Sequence, residues 1–217
     1  MSGTSFAGVV LCGGQSSRMG RSKADLEFGD ETMLQRVVRL LSAVVDQIVI
    51  VAADEQAIPN FETAECSVSV ARDQLKFAGP LAGMTVGLDH LLHNATTSSA
   101  AAYVTSCDVP LLNSDFVQEL FDRIENYDIV VPVDERHMHP LSAVYRVKVA
   151  PQMQGLIAQG ERRPRALFDL VRTLQIPTAS LAHIDEGLMT LANLNSPADY
   201  ADALDKAGFP HPQWLRQ

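Results

Sequence analysis

The sequence predicts one α/β domain over residues 1–217: a mostly parallel sheet with helices on both faces, a three-layer sandwich. Three observations predict it. Short β-rich runs alternate with segments of helical period, the pattern of strand–helix–strand crossovers. Runs such as "QIVIVAA" are apolar nearly throughout, as strands covered on both faces are. The chain has 217 residues, 47% hydrophobic and 20% charged. At that length a globular chain buries roughly 70% of its unfolded surface and needs no disulfide or structural metal.

The elements follow in order. "AGVVLC" (7–12) is a short β-rich run ending in glycines, and reads as a buried first strand. "TMLQRVVRLLSAVV" (32–45) places Leu34, Val37, Val38 and Leu41 at helical spacing. "QIVIVAA" (47–53) and "CSVSVARD" (66–73) read as the second and third strands. "GPLAGMTVGLDHLLHN" (79–94) reads as a helix that starts at Pro80. "AAYVTSCD" (101–108) is the next strand, and "NSDFVQELFDRI" (113–124) a helix capped by Asn113 or Ser114. "DIVVPV" and "LSAVYRV" are strands. "APQMQGLIAQG" and "RPRALFDLV" are expected to be helical, and "SPADYADALDKAG" is a last helix ending at Gly208. "HNATTSS" and "PVDERHMHP" read as polar loops rather than domain boundaries.

Composition narrows the function. The formal net charge is −9, which disfavours non-specific binding to nucleic acid or an anionic membrane. Three cysteines, Cys12, Cys66 and Cys107, form no C-x-x-C pair, as expected of reduced thiols in a cytoplasmic protein. No Lys or Arg precedes Arg18, and the apolar stretch from Val9 to Cys12 is too short for a signal peptide. No run approaches the ~20 apolar residues of a membrane span.

The first strand runs into "CGGQSSRMGRSK" (12–23), a loop rich in glycine, hydroxyls and cations. It fails the Walker spacing, because Gly20 is followed by Arg21 and Gly14 lies six positions earlier. It fails the dinucleotide fingerprint too, since Gly13 and Gly14 are adjacent. Its physics still favours phosphate. Adjacent glycines after a strand let the backbone approach an anion and aim N–H groups at it. Arg18, Arg21 and Lys23 add three positive charges within six residues of a protein that is negative overall. The bland alternative is a solvated turn.

"VVLCGGQSSRMGRSK" resembles the L-A-G-G-x-S-x-R-M-G-x-D-K signature of molybdenum cofactor guanylyltransferases, the MobA-like nucleotidyltransferases. "ARDQLKFAGPLAGM" (71–84) resembles the family's Asp block followed by G-P-L-A-G. "VTSCDVPLL" (104–112) resembles the block with the metal-binding Asp. "HPLSAVYR" (139–146), "GERR" (160–163) and "NLNSPADY" (193–200) resemble three later blocks in the same order. Cys12 stands where the family usually has Ala, and Ser22 where it usually has Asp. Ala52 stands about where guanylyltransferase relatives often carry a base-contacting Asn, so backbone groups or Asp54 would have to substitute.

The resemblance implies a Rossmann-like fold of the nucleotidyltransferase type. It also implies an activity: GMP passes from GTP to the terminal phosphate of molybdopterin, and pyrophosphate leaves. Mg²⁺ is the implied cofactor, and GTP and molybdopterin are the implied small-molecule partners. Transient contact with other cofactor-biosynthesis proteins or apo-molybdoenzymes is a further implied partnership. The attacking phosphate oxygen is already ionised at neutral pH, so the reaction needs no general base and no covalent intermediate. It needs positioning and neutralised charge.

On that reading Lys23 neutralises the phosphates, assisted by the forked guanidinium of Arg18. An exposed loop lysine is the alternative for Lys23. Leu11, Cys12, Gly13, Gly14 and Ser16 would cradle the nucleotide, with backbone N–H groups around Cys12, Gly13 and Gly14. Asp73 would contact it too, unless it is a plain turn residue. Asp108 would ligate the metal, since Mg²⁺ takes one or two carboxylates and completes its octahedron with water and phosphate oxygens. The alternative for Asp108 is a cap for the turn before Pro110. Arg162 and Arg163, with Arg165 beside them, and His139, Asn193 and Asn195 are assigned to the pterin side; in related sugar nucleotidyltransferases an Asn near the last two helps hold the metal. Three arginines on a solvated face are the competing reading. His137 and His139 sit two apart but lack the further ligands of a zinc site. The rival functions are a cytidylyl- or sugar-phosphate nucleotidyltransferase, and a non-catalytic nucleotide- or cofactor-binding module.

Overall fold

A computed structural model describes residues 5–13, 22–61, 66–74, 79–94 and 100–216. Among them the main sheet has seven strands, in the order β5-β4-β1-β6-β8-β7-β9. They are β1 (Phe6–Leu11), β4 (Gln47–Ala53), β5 (Ser67–Asp73), β6 (Ala101–Ser106), β7 (Ile129–Val133), β8 (Ala143–Arg146) and β9 (Thr173–Pro177). A two-stranded hairpin, β2 (Glu27–Phe28) and β3 (Glu31–Thr32), stands apart. The helices are α1 (Met33–Leu41), α2 (Pro80–Asn94), α3 (Ser114–Asp122), α4 (Ala150–Ala158) and α5 (Pro197–Ala207). Pairing in the main sheet is parallel except around β8, which runs antiparallel to both neighbours.

Alternation along the strands sorts side chains into two cores. Val10, Ile48 and Ile50 face one side, where α1 and α3 contribute Leu34, Val37, Val38, Phe116 and Leu120. Val9, Val49 and Val51 face the other, against Leu81, Met84 and Leu88 of α2 and Met153 of α4. That is the predicted three-layer sandwich. The fit is close: a Cβ on Gly87 of α2 would lie 2.4 Å from Val9 Cγ1. A third cluster joins Phe28 and Met33 to Tyr200 and Leu204 of α5.

The helix ends follow their side chains. Thr32 opens α1 with a capping box to Gln35. Asn113 caps α3, accepting from the amides of Asp115 and Phe116. Ser196 and Asp199 form a second capping box at α5, and Gly208 closes it in the left-handed region. "RPRALFDLV" departs from expectation. Only Pro164–Leu167 coils, as a single 3-10 turn. Leu167 and Phe168 are buried, and the chain must straighten at once to pair Thr173 with Ile129 in β9. The "HNATTSS" loop falls mostly outside the described residues.

Candidate functional site

The strand order sets the place. From β1 the chain moves outward to β4 and β5, then returns through α2 to β6 on the other side of β1. The direction of winding therefore reverses between β1 and β6. In open α/β sheets ligands bind in the crevice beyond the strand carboxyl ends at that point. Leu11 pairs with Ser106 across it, so Cys12, Gly13, Cys107 and Asp108 form its rim.

Lys23 and Asp108 meet there. Lys23 Nζ donates to Asp108 Oδ2 at 2.7 Å and to Asn195 Oδ1 at 2.9 Å. Ser106 Oγ donates to the second carboxylate oxygen of Asp108. The Asp108 carbonyl accepts from Leu194 N at 2.9 Å, which docks the 193–195 segment onto the turn. The α5 capping box fixes Asn195 as well, since Asp199 accepts from Asn195 N at 2.9 Å. That bond, with others from Ser196, holds the Asp199 carboxyl below its usual range. Arg36 Nε of α1 donates to Pro110 O at 2.7 Å and steadies the far side of the turn. Two oxygens from segments 87 positions apart (195 − 108) thus converge on one cation.

The glycine loop starts differently from expectation. Cys12 N donates to Val51 O at 2.8 Å and so continues the ladder with β4. Its N–H is not offered to a ligand, and the cradle begins at Gly13. A Cβ on Gly13 would meet Ala53 N at 3.4 Å, an ordinary contact, and Gly13 is not among the residues at positive φ. The fold therefore does not demand glycine here, whereas a ligand lying on the backbone would. Gly14, Ser16, Arg18 and Arg21 lie outside the described residues.

Leu11 is half-buried at the end of β1, and its carbonyl accepts from Cys107 N at 3.0 Å. The Cys12 and Cys107 thiols hydrogen-bond to each other. That bond lowers the Cys12 pKa, while the same bond and burial push Cys107 well above the usual thiol range. Asp73 ends β5, in register with Ala53. Ala52 is fully buried, so its side chain faces the core rather than the crevice.

The residues assigned to the pterin side have separate partners among the described residues. Asn195 joins Lys23 and Asp108 instead, and Asn193 lends its carbonyl to Asn195 Nδ2 at 3.5 Å. His139 hydrogen-bonds Asp134 at 3.0 Å within its own loop after β7. Asp134 also accepts the amides of Arg136 and His137, and its pKa falls to about 2. Arg162 packs its backbone beside Gly79, at the start of α2. Arg163 forks onto Glu161 with two bonds of 3.0 Å, so its charge is already matched, and the Glu161 pKa falls to about 2. Among the described residues, no three His, Cys, Asp or Glu side chains group as a metal cluster. No described helix is long and apolar enough to cross a membrane.

Sequence reasoning missed Ser106 and Gln56. Ser106 sits two residues before Asp108 on the same rim, a spacing that could have flagged it. Gln56 Nε2 donates to Cys12 O at 3.3 Å and to Cys12 Sγ at 3.2 Å, and Gln56 Oε1 accepts from Ala53 N at 3.3 Å. No motif marks it.

Comparisons with known proteins show the family and the fold. A family model described as the MobA-like NTP transferase domain matches residues 8–176. A protein of Mycobacterium ulcerans called a probable molybdenum cofactor guanylyltransferase is 36% identical over 199 residues, 90% of this chain and 91% of that one. The crystal structure of molybdopterin-guanine dinucleotide biosynthesis protein A from Archaeoglobus fulgidus superposes with a TM-score of 0.74. It is 22% identical, with 94% of this chain and 98% of that one covered. A Mycobacterium tuberculosis protein solved as a complex with manganese superposes with a TM-score of 0.56 at 16% identity, covering 94% of this chain and all of that one (100%).

Proposed function

Because the chain belongs to the MobA-like NTP transferase family, we propose that it transfers GMP from GTP to the terminal phosphate of molybdopterin and releases pyrophosphate. It is a nucleotidyltransferase. The observation that carries the reading is Lys23 Nζ, held between Asp108 Oδ2 and Asn195 Oδ1 at the switch point of the sheet. A cation and a carboxylate at that rim are what a triphosphate requires.

In the free protein Asp108 matches the charge of Lys23. An arriving triphosphate competes for the ammonium and draws Lys23 onto its oxygens. There the lysine offsets charge that builds as the bond to pyrophosphate breaks. The N–H of Gly13 is assigned to the nucleotide. Ser106 keeps the Asp108 carboxylate oriented as Lys23 leaves. Arg18 is assigned to the departing phosphates. The attacking oxygen is a phosphate oxygen and carries its charge already, so no side chain has to remove a proton.

The donor set fits a divalent cation. Asp108 and Asn195 present two oxygens to one positive group in the structure, and they would hold Mg²⁺ when Lys23 moves to the phosphates. The ion would supply Lewis acidity to the phosphate oxygens. The manganese-bound neighbour of the same fold supports a divalent ion.

Asp73 is assigned to the nucleotide from its place at the end of β5, and Arg162 to the second substrate from its place beside the start of α2. The test is pyrophosphate release with Mg²⁺, molybdopterin and a panel of GTP, CTP and ATP. GTP is expected to lead in kcat/KM by on the order of 10²–10⁴, as two buried hydrogen bonds to a base edge would give. Equal turnover of CTP would replace the guanylyl reading with the cytidylyl one. No release with any nucleotide would leave a binding module.

A further inference from the structure

We infer that Gln56 reads the nucleobase, presenting its side-chain amide to the polar edge of guanine. The inference rests on the guanylyl reading above and names the residue behind its specificity.

The phosphate-handling pair lies at the β1–β6 crevice. A nucleotide anchored there extends its base along the rim, and two strand spacings, ~10 Å, separate β6 from β4. Gln56 stands on the turn that follows β4, at the same sheet end. Its amide touches Cys12, so it faces the glycine loop rather than bulk solvent.

Guanine offers an acceptor, O6, beside a donor, N1–H. One primary amide offers the matching donor and acceptor side by side. The side chains of Asp54 and Asp73 have no amide N–H to set beside an acceptor, so neither matches O6 and N1–H together. Ala52 is buried and Ala53 has no polar side chain.

A freely turning amide accepts adenine as readily as guanine, because a half-turn exchanges donor and acceptor. Gln56 is not free to turn. Its Nε2 faces the Cys12 carbonyl and its Oε1 faces the Ala53 amide. The reversed amide would set oxygen against oxygen and N–H against N–H. The turn is pinned as well, since Arg72 Nη1 donates to Ala53 O at 2.9 Å and to Gln56 O at 2.6 Å. The bonds of the amide itself, 3.2–3.3 Å, are long. They orient the group and leave Oε1 a second lone pair, while the Nε2 proton on Cys12 Sγ, a weak acceptor, is the one that guanine O6 would take over.

The experiment compares wild type, Gln56→Ala and Gln56→Glu. It measures steady-state kinetics with GTP, ITP and ATP, and titrates the same Mg²⁺-nucleotides calorimetrically without pterin. Gln56→Ala is expected to raise KM and Kd for GTP ~10–100-fold while kcat stays within ~3-fold. ITP, which keeps O6 and N1–H, should lose as much, and ATP should be unchanged. Gln56→Glu keeps length but loses the donor, and should fail like Ala. A merely structural role would raise GTP and ATP constants together, which overturns the inference. So does a Gln56→Ala variant that keeps the wild-type GTP-to-ATP ratio. Thermal unfolding of each variant identifies a misfolded one, and in that event the inference is judged on the Gln56→Glu ratios. A wild type that prefers CTP overturns the guanylyl reading itself, and this inference with it.

Discussion

Lys23→Ala isolates the central cation. The side chains of Lys23 and Asp108 are 18% and 15% exposed, so the pair is neither a surface bridge nor a fully buried one. Surface pairs contribute ~0–1 kcal/mol, and breaking a buried one costs ~3–5. Asp108 keeps its bond from Ser106 after the lysine is gone, which softens the loss. A cost of about 1–2 kcal/mol follows, and in a domain of this size that lowers Tm by roughly 2–8 °C. The variant should fold. Catalysis should suffer far more. One preorganised charge aimed at the developing transition-state charge is worth ~10²–10³ in kcat.

The assay is pyrophosphate release with saturating GTP and molybdopterin, beside a thermal melt. If Lys23 acts chiefly in the transition state, kcat and kcat/KM fall together. If it only binds ground-state phosphate, KM rises and kcat holds. Lys23→Arg should recover part of the rate, since it keeps charge but not the point geometry. Turnover within ~3-fold of wild type for Lys23→Ala would refute the assignment. A collapse of Tm beyond ~15 °C would show that the pair serves the fold instead.

Asp108→Ala should remove most activity and weaken Mg²⁺-GTP binding in calorimetry; unchanged binding and unchanged turnover together would exclude Asp108 as the metal ligand. Alkylation by iodoacetamide at pH 8 should strike Cys12 first, because the bond from Cys107 lowers its pKa while Cys66, buried, is pushed up to about 11. Peptide mass spectrometry orders the sites, Mg²⁺-GTP should protect Cys12, and prior modification of Cys66 would contradict the ordering. Gly87→Ala should destabilise by ~1–3 kcal/mol, because its Cβ would stand 2.4 Å from Val9 Cγ1 on a rigid strand; an unchanged Tm would show that α2 can shift away from the sheet.

Much of the fold was legible because its signals are local. β4 is apolar along nearly all its length and emerges at the predicted limits, Gln47–Ala53. Leu34, Val37, Val38 and Leu41 repeat at helical period and are all buried in α1. The errors have physical causes. β2 and β3 have two residues each, too few to show a period. β9, "TLQIP", carries polar residues because it is an edge strand, half-exposed and paired with β7 alone. The segment after Arg163 has helical spacing, but its apolar residues serve a 3-10 turn that returns the chain to β7.

The site was legible only where one segment carries its own chemistry. Lys23 and Asp108 could each be singled out, by the cations around one and the strand end under the other together with the family motifs that both resemble. Their meeting could not, because 85 residues separate them. Asn195 lies 172 residues from Lys23, and no local signal could join the two. What the structure adds is a charge argument. A protein of net charge −9 must admit a triphosphate, and long-range repulsion is screened beyond ~8 Å at physiological ionic strength. The decisive field is therefore that of the rim. In the free protein Asp108 cancels Lys23 there, so Lys23 adds little net attraction at a distance. The attraction appears only when the pair separates. Selectivity for a highly charged phosphate follows, since a weakly charged ligand gains too little from Lys23 to compensate for leaving Asp108 without it.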